Sequence, residues 1–287
     1  MIERLTKVKF TNLDKILYPE AKITKAQIIE YYIKLAPKIL KLLADRPAVL
    51  NRFPEGVDKP GFYEKDAPVG TPSWVKVFKR YSETAQRELA YILCNDLDTL
   101  IWLANLAALE IHVTLSKAES FESPDLVLFD IDPEPPASFN DAIDVALLLK
   151  EKLDALSLHS YVKTSGMKGL HVVIPVSGGY TFRQTREFVH RIGQELAKES
   201  EIIVSEFSQS RDAGTVFVDY LQNAHGRTMI CPYSLRASSQ ATVSTPLDWK
   251  DVKKGLKPQD FTLFTVVKHE KNPWEGLLTD RQRLEVS

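Results

Sequence analysis

The sequence predicts an α+β protein organised around an antiparallel sheet, and three observations carry that prediction. Residues 126–132, Leu-Val-Leu-Phe-Asp-Ile-Asp, alternate with a period of two, as a strand with one buried face does. Residues 160–176 read as two strands joined by a glycine-containing turn. Residues 25–44 and 182–198 carry apolar residues at helical spacing. Hairpins thus mix with helical crossovers, which favours an α+β sheet over a purely parallel, doubly wound one.

Thr24 and Gln27 form a capping-box pair, and Ile28, Tyr32, Leu35, Ile39 and Leu43 follow on one side, so a helix is predicted over 25–44 with a kink at Pro37. Residues 51–73 are rich in Pro and Gly and carry Phe53, Phe62 and Tyr63, the pattern of an ordered loop region with short strands. Residues 97–110 are apolar nearly all round and predict a buried helix, after which strand alternation sets in around His112. Ser138 and Asp141 predict a second capping box, opening a helix to about Leu156. Strands are expected at 160–164, 170–176, 201–207, 214–222 and 228–231, and a segment wrapping the surface at 237–260.

With 287 residues and 44% apolar content the chain can bury a sizeable core, as one large domain or two intimate lobes. A formal net charge of -1 excludes a protein that coats polyanions indiscriminately. Local charge is uneven. Residues 1–45 hold nine Lys/Arg against five Asp/Glu, whereas residues 95–160 hold three against thirteen, which suggests polyanion capture beside a cation site. Cys94 and Cys231 allow neither a disulfide framework nor a zinc spacing and fit a reducing interior. The start lacks a signal-peptide core, and the longest apolar stretch is interrupted by Asn105 and Glu110. A soluble, cytoplasmic protein without membrane contact is expected.

Asp130 and Asp132 share one strand face with Cα atoms roughly 7 Å apart, close enough to converge on hard cations. Asp219 ends the run Thr215-Val-Phe-Val-Asp219. Taken alone it reads as a strand-ending residue that bonds a backbone amide; with the first pair it makes a three-carboxylate set suited to Mg²⁺ or Mn²⁺. Thr164-Ser-Gly-Met-Lys-Gly-Leu-His171 combines Gly166 and Gly169 with Ser165, Lys168 and His171. It reads either as a phosphate cradle or as a tight hairpin that needs glycine. His112 and His171 sit among apolar neighbours, where a histidine is more often a hydrogen-bonded core residue. Asn12, Lys15, Lys22 and Lys25 cluster at the first helix's N-terminus, where free amides and the dipole favour a terminal phosphate; a solvated lysine-rich surface is the plainer reading. Phe62 and Tyr63, with Lys65 beside them, offer base stacking worth roughly 1–3 kcal/mol, or a small satellite core.

Seven separated motifs agree with one family. They are Asn12-Leu-Asp-Lys-Ile-Leu-Tyr-Pro19, Gly61-Phe-Tyr-Glu-Lys65, Ala108-Leu-Glu-Ile-His-Val113, Phe129-Asp-Ile-Asp-Pro133, Thr164 to His171, Phe217-Val-Asp-Tyr-Leu-Gln-Asn223 and Pro232-Tyr-Ser-Leu-Arg236. Together, in order from about residue 5 to 237, they resemble the primase-polymerase domain of prokaryotic non-homologous end joining, in the archaeo-eukaryotic primase superfamily. The similarity is to the polymerase domain of bacterial ATP-dependent DNA ligase D. The resemblance implies an N-terminal αβ lobe (about 1–120) packed on an antiparallel-sheet lobe resembling an RNA-recognition fold (121–237). The active site would lie between them, and 238–287 would wrap a single domain.

By the same resemblance, Asp130, Asp132 and Asp219 would hold two divalent ions, Mn²⁺ or Mg²⁺. His112, Ser165, Lys168 and Arg236 would bind the nucleoside triphosphate, supported by Gln222, Gly166 and Gly169. Asn12, Lys15 and Lys25 would grip the 5′-phosphate of a gap or end, and Phe62 and Tyr63 would stack on the templating side near Lys65, Arg52 and Arg211. The implied activity is ribonucleotide-preferring gap filling and 3′-end extension at double-strand breaks, on the nucleoid. A separate ligase and a Ku-type end-binding protein are the expected partners, because the chain has no room for the fused modules of the family. Tyr63 stands where members often have a second Phe, and Ser210-Arg-Asp-Ala-Gly-Thr215 is less basic than usual. Two other readings are a Mn²⁺-dependent nucleotide-sugar glycosyltransferase built on Asp130 and Asp132, and a non-catalytic DNA-end-binding module.

Overall fold

The computed structural model describes residues 7–82, 85–208 and 212–285, and the chain divides into two compact units. The first comprises the described residues up to Thr114 with Ile230–Ser244 and Phe261–Glu270; the second comprises Leu115–Met229, Thr245–Asp260 and the described residues from Lys271 onward. Among the described residues no helix is long and apolar enough to cross a membrane.

In the first unit, strands β1 (Ile16–Tyr18) and β2 (Ile23–Thr24) pair antiparallel and lead into helix α1 (Lys25–Leu43). The Thr24 hydroxyl accepts from the Gln27 amide and the Gln27 side chain accepts from the Thr24 amide, the reciprocal cap expected from the sequence. Ile28, Tyr32, Leu35, Ile39 and Leu43 are buried, and the helix continues through Pro37. Strands β3 (Pro47–Arg52), β4 (Phe62–Glu64), β5 (Lys76–Ser82), β6 (Arg87–Leu93) and β7 (Ala108–Thr114) form an antiparallel sheet in the order β7-β3-β6-β5, with β4 also on β3. Helix α2 (Leu97–Asn105), capped by Asp96, packs on α1.

Two differences from the expected elements have local causes. The helix expected over 97–110 stops at Asn105, because Ala107 enters the left-handed region at φ 57° and redirects the chain into β7. The β5–β6 hairpin was not legible, because β5 is exposed on both faces for most of its length and leaves no alternation to read.

The second unit holds β8 (Leu126–Pro133), α3 (Phe139–Ala155), β9 (Tyr161–Thr164), β10 (Leu170–Pro175), α4 (Phe182–Glu199), β11 (Ile203–Val204) and β12 (Val216–Asp219). After β13 (Thr228–Ile230), β14 (Pro246–Leu247) completes a sheet in the order β11-β12-β8-β10-β9-β14, antiparallel except for β11 with β12. The short α5 (Leu263–Val266) belongs to the first unit. Both caps of α3 and α4 are reciprocal boxes, Ser138 with Asp141 and Thr181 with Gln184. Phe188 of α4 meets Phe129 of β8 edge to face at 6.3 Å, so the Val127, Phe129 and Ile131 face is covered by helix. Asp130 and Asp132 therefore stand on the other face. Within the segment expected to wrap the surface, Pro246 and Leu247 join the sheet, pairing with Lys163 and Val162. The strand expected at 214–222 ends at Asp219 in a turn of 3₁₀ helix, Leu221–Asn223.

That turn secures β8. Asn223 is fully buried; its Nδ2 donates to the Leu128 carbonyl at 2.6 Å and its Oδ1 accepts from the Leu128 amide at 2.9 Å. A side-chain amide thus replaces a backbone partner two residues from Asp130. Asn223→Ala leaves both Leu128 groups unpaired and is expected to cost about 2–4 kcal/mol in equilibrium urea unfolding; a loss below 1 kcal/mol would show that water replaces the amide.

Candidate active site

The strand register of the second unit lines up four polar side chains. Asp219 of β12 is paired with Asp130 of β8, Asp130 with His171 of β10, and His171 with Lys163 of β9. Partners in register on adjacent strands share a face, so the sheet carries one transverse row of two acids, an imidazole and a lysine. Asp132, two residues beyond Asp130, lies on the same face. Asp219, His171 and Lys163 are buried, Lys163 completely. His171 Nε2 is 3.3 Å from Asp130 Oδ1. Asp219 Oδ1 accepts from the Leu221 amide at 2.8 Å and Oδ2 from Gln222 Nε2 at 3.3 Å. The plainer reading of Asp219, a strand-ending acid that bonds an amide, therefore describes a contact it does make, and Gln222 is tied to the same carboxylate.

Three carboxylates on two neighbouring strands supply the oxygen donors a hard divalent cation takes. In that respect the residues fit the group. Among the described residues, however, no three His, Cys, Asp or Glu side chains are gathered closely enough to hold a metal ion as they stand.

The turn after β9 follows from two glycines and one hydroxyl. Ser165 Oγ accepts from the Met167 amide at 3.2 Å and the Gly169 amide at 3.1 Å, while the Ser165 amide donates to the Gly169 carbonyl at 2.9 Å. Gly166 takes φ 76°. Gly169 answers a different demand: a Cβ there would lie 2.2 Å from the Ile131 carbonyl oxygen and 3.0 Å from Asp132 Oδ1. The turn is thus pressed against the acidic strand. Lys168 is half exposed, with its Nζ 3.6 Å from Glu134 Oε2. Gly169→Ala should therefore lower stability by about 1–3 kcal/mol by forcing β8 and β10 apart, against about 1 kcal/mol for Gly166→Ala, which only strains φ. Denaturant midpoints with the reverse order would contradict this account.

The first unit holds a second cluster, centred on a residue the sequence did not single out. Glu110 is buried on β7. Its Oε2 accepts from Asn51 Nδ2 at 3.0 Å and lies 3.2 Å from His112 Nε2. Its Oε1 accepts from Arg236 Nε at 2.9 Å and from the Ala237 amide at 3.1 Å. Burial pushes the Glu110 carboxyl upward, but hydrogen bonds from His112 and Asn51 and the charges of Arg236 and His112 outweigh it and hold the group well below the usual carboxylate range. The legible signal was a carboxylate two residues before His112 in an otherwise apolar strand. Arg236 is carried by a segment anchored by buried hydroxyls: Tyr31 donates to the Tyr233 carbonyl at 2.7 Å, Tyr18 to the Arg236 carbonyl at 2.9 Å, and Ser234 accepts from the Ile111 amide at 2.8 Å.

Phe62 and Tyr63 do not act as one platform. They are successive residues of β4 and take opposite faces. Tyr63, in register with Asn51, shares the Glu110 face and stands 5.7 Å from the His112 ring. Phe62, in register with Arg52, has that guanidinium 5.2 Å over its ring. Arg52 also bonds Glu64 at 2.8 Å and the Leu106 carbonyl at 3.1 Å. Both aromatics and Lys65 are exposed. Arg211 lies outside the described residues.

Before α1, the turn at Asn12 (φ 51°) closes with the Lys15 amide donating to the Asn12 carbonyl at 3.1 Å. Lys25 is buried, its Nζ donating to the Thr11 carbonyl at 3.0 Å, and its amide donates to the Lys15 carbonyl at 2.9 Å. Burial foremost, then the charges of Lys15 and Arg52, push the Lys25 pKa down. Lys15 is paired with Glu55 at 2.9 Å.

A mixed α+β fold with antiparallel sheets and a strand-borne acidic row is the architecture of a primase-type polymerase domain. Comparison with known proteins agrees. The family model described as the LigD primase-polymerase domain matches residues 24–274, and the chain belongs to that family. It is 35% identical over 263 residues to the bifunctional non-homologous end joining protein LigD of Bacillus subtilis, covering 91% of this chain and 42% of that protein. Against the multifunctional LigD of Mycolicibacterium smegmatis it is 32% identical over 255 residues, covering 88% and 33%. It therefore spans less than half the length of these relatives. The polymerase domain from Mycobacterium tuberculosis ligase D, solved in complex with DNA, superposes with a TM-score of 0.88 at 30% identity, covering 96% of this chain and 100% of that one.

Proposed function

We propose that this chain is a template-directed nucleotidyltransferase that fills gaps and extends 3′ ends at DNA double-strand breaks in non-homologous end joining, with a preference for ribonucleotides. The observation that carries the reading is the in-register row of Asp219, Asp130 and His171, with Asp132 on the same face. Bound there by Asp130, Asp132 and Asp219, two divalent cations, Mn²⁺ or Mg²⁺, would lower the pKa of the primer 3′-hydroxyl and neutralise charge on the departing pyrophosphate. The chain's own contribution is placement. Rigid strands hold the carboxylates, and Asn223 and Gly169 fix β8 against its neighbours. The Ser165 turn brings backbone amides and Lys168 to the nucleotide phosphates, and His112 and Arg236 are the further side chains assigned to nucleotide binding.

Substrate DNA is gripped at a 5′-phosphate by Asn12, Lys15 and Lys25, and a base is stacked by Phe62. Tyr63, on the face of His112, stacks on the nucleotide side instead. Broken ends are delivered by a Ku-type protein and sealed by a ligase. Family membership leaves sugar transfer without support. A non-catalytic end-binding module is the reading favoured by one observation, the engagement of Asp219 by its own turn.

The experiment is extension of a 5′-phosphorylated gapped duplex with labelled nucleotide across a Mn²⁺ titration. Asp130→Ala with Asp132→Ala should reduce extension more than a thousandfold while leaving gapped-duplex affinity within about twofold; wild-type protein that binds the gap but extends it under no divalent ion would leave the end-binding module.

The 5′-phosphate pocket makes a separate, pH-dependent prediction. Lys25 grips phosphate as an ammonium, and its pKa in the free protein lies below the ordinary lysine value. Preference for a 5′-phosphate over a 5′-hydroxyl should thus be full at neutral pH and decline, as pH rises, earlier than an ordinary lysine would titrate. Lys25→Arg, charged throughout, should flatten that decline. Equal pH profiles for the two proteins, measured at fixed ionic strength, would remove Lys25 from the pocket.

A further inference from the structure

Glu110 is buried, ionised and bonded through both oxygens to residues of three separate segments: Asn51 on β3, His112 on β7, and Arg236 with the Ala237 amide after β13. Four contacts on one carboxylate exceed what packing requires. A buried acid of this kind costs desolvation that its partners must offset, and the arrangement stays intact only while both charges remain. It also dictates chemistry. An ionised carboxylate only accepts, so the imidazole nitrogen facing it, Nε2, must carry the proton. On the guanidinium it is Nε that meets Oε1, which fixes the plane of the group and is not one of the two terminal amino groups that form an end-on fork to phosphate.

We propose that Glu110 is the positioning residue of the nucleotide-binding pair, holding His112 by Nε2 and Arg236 by Nε so that both face the triphosphate in one fixed orientation. The inference rests on the role given above to His112 and Arg236. Glu110 acts through His112 and Arg236, and Asn51 in turn holds Glu110. The Ala237 amide extends the control to the backbone that carries Arg236. Loss of the negative charge therefore releases both donors together, which neither donor's own removal does.

Steady-state single-nucleotide extension on gapped DNA tests this, with Glu110→Gln keeping the shape and Glu110→Asp keeping the charge but withdrawing it by one methylene. Glu110→Gln is expected to raise the nucleotide KM roughly tenfold to a hundredfold with a smaller change in kcat and an unchanged affinity for the gapped duplex, alongside the fall in Tm that loss of a buried charge partner brings; Glu110→Asp should raise KM less. In an Arg236→Ala background, Glu110→Gln should add less than about threefold, because its route of action is already gone. An unchanged KM in Glu110→Gln, or an effect that multiplies fully with that of Arg236→Ala, overturns the positioning role. If Arg236→Ala and His112→Ala raise KM and the Glu110 variants do not, this inference alone fails; if neither raises KM, the nucleotide-binding role of the pair fails and takes the inference with it. Should Glu110→Gln not fold, the same comparison with Glu110→Asp decides the matter.

Discussion

The register of β8 against β12 and β10 is the constraint on which the second unit depends. Antiparallel pairing sets residues opposite one another in pairs that share a face, so a slip of one residue would turn Asp130 and Asp132 into the helix-covered layer and bring Phe129 and Ile131 out. The apolar set Val127, Phe129 and Ile131 fixes that choice, because burying two carboxylates against Phe188 would cost far more than any contact they make. Core packing on one face thus specifies the chemistry on the other. The acidic row is a consequence of hydrophobic burial one residue away.

Around this register, side chains replace backbone wherever backbone cannot serve. Asn223 completes the hydrogen bonding of Leu128, Ser165 gathers the amides of its turn, and Trp274 and Trp249 donate to the carbonyls of Val162 and Ser160 at the β9 end. The Asn223 contact reaches from a turn to Leu128, beyond the last residue of β8 that β12 pairs. Gly169 does the opposite, removing a side chain so that a loop can meet the Ile131 carbonyl. Such contacts give a loop-borne turn the rigidity of the sheet beneath it, which the proposed role in orienting a triphosphate calls on.

What was legible follows from what is local. The capping boxes at Thr24 and Ser138, the helix faces they open and the alternation of β8 are encoded within a turn or two, and they stand where the sequence placed them. Ala107 was not legible as a helix terminator because alanine has no preference for positive φ; the tertiary path imposes it. Nor was the β5–β6 hairpin, whose Lys76, Lys79, Arg80 and Tyr81 face solvent on both sides. For the site, residue types and motif spacing supplied the candidates, but partnership did not show. Glu110, Asn51 and Arg236 lie far apart in sequence, and Phe62 with Tyr63, adjacent in sequence, are separated by the pleat of one strand.

Charge is handled in opposite ways in the two units, and this explains how a chain of net charge -1 is equipped for polyanions. In the first unit a buried carboxylate, Glu110, is bonded by Asn51 and Arg236 and lies beside His112. In the second the fully buried Lys163 and the imidazole of His171 stand in the row of the carboxylates. Each cluster sets basic side chains beside acidic ones. Like charges gathered in a low-dielectric setting repel one another by several kcal/mol and shift their protonation to relieve it. A basic side chain placed in the same row opposes that repulsion. Local compensation of this kind lets the sites keep strong fields of either sign while the surface as a whole stays near neutral, so that affinity comes from position and not from bulk attraction.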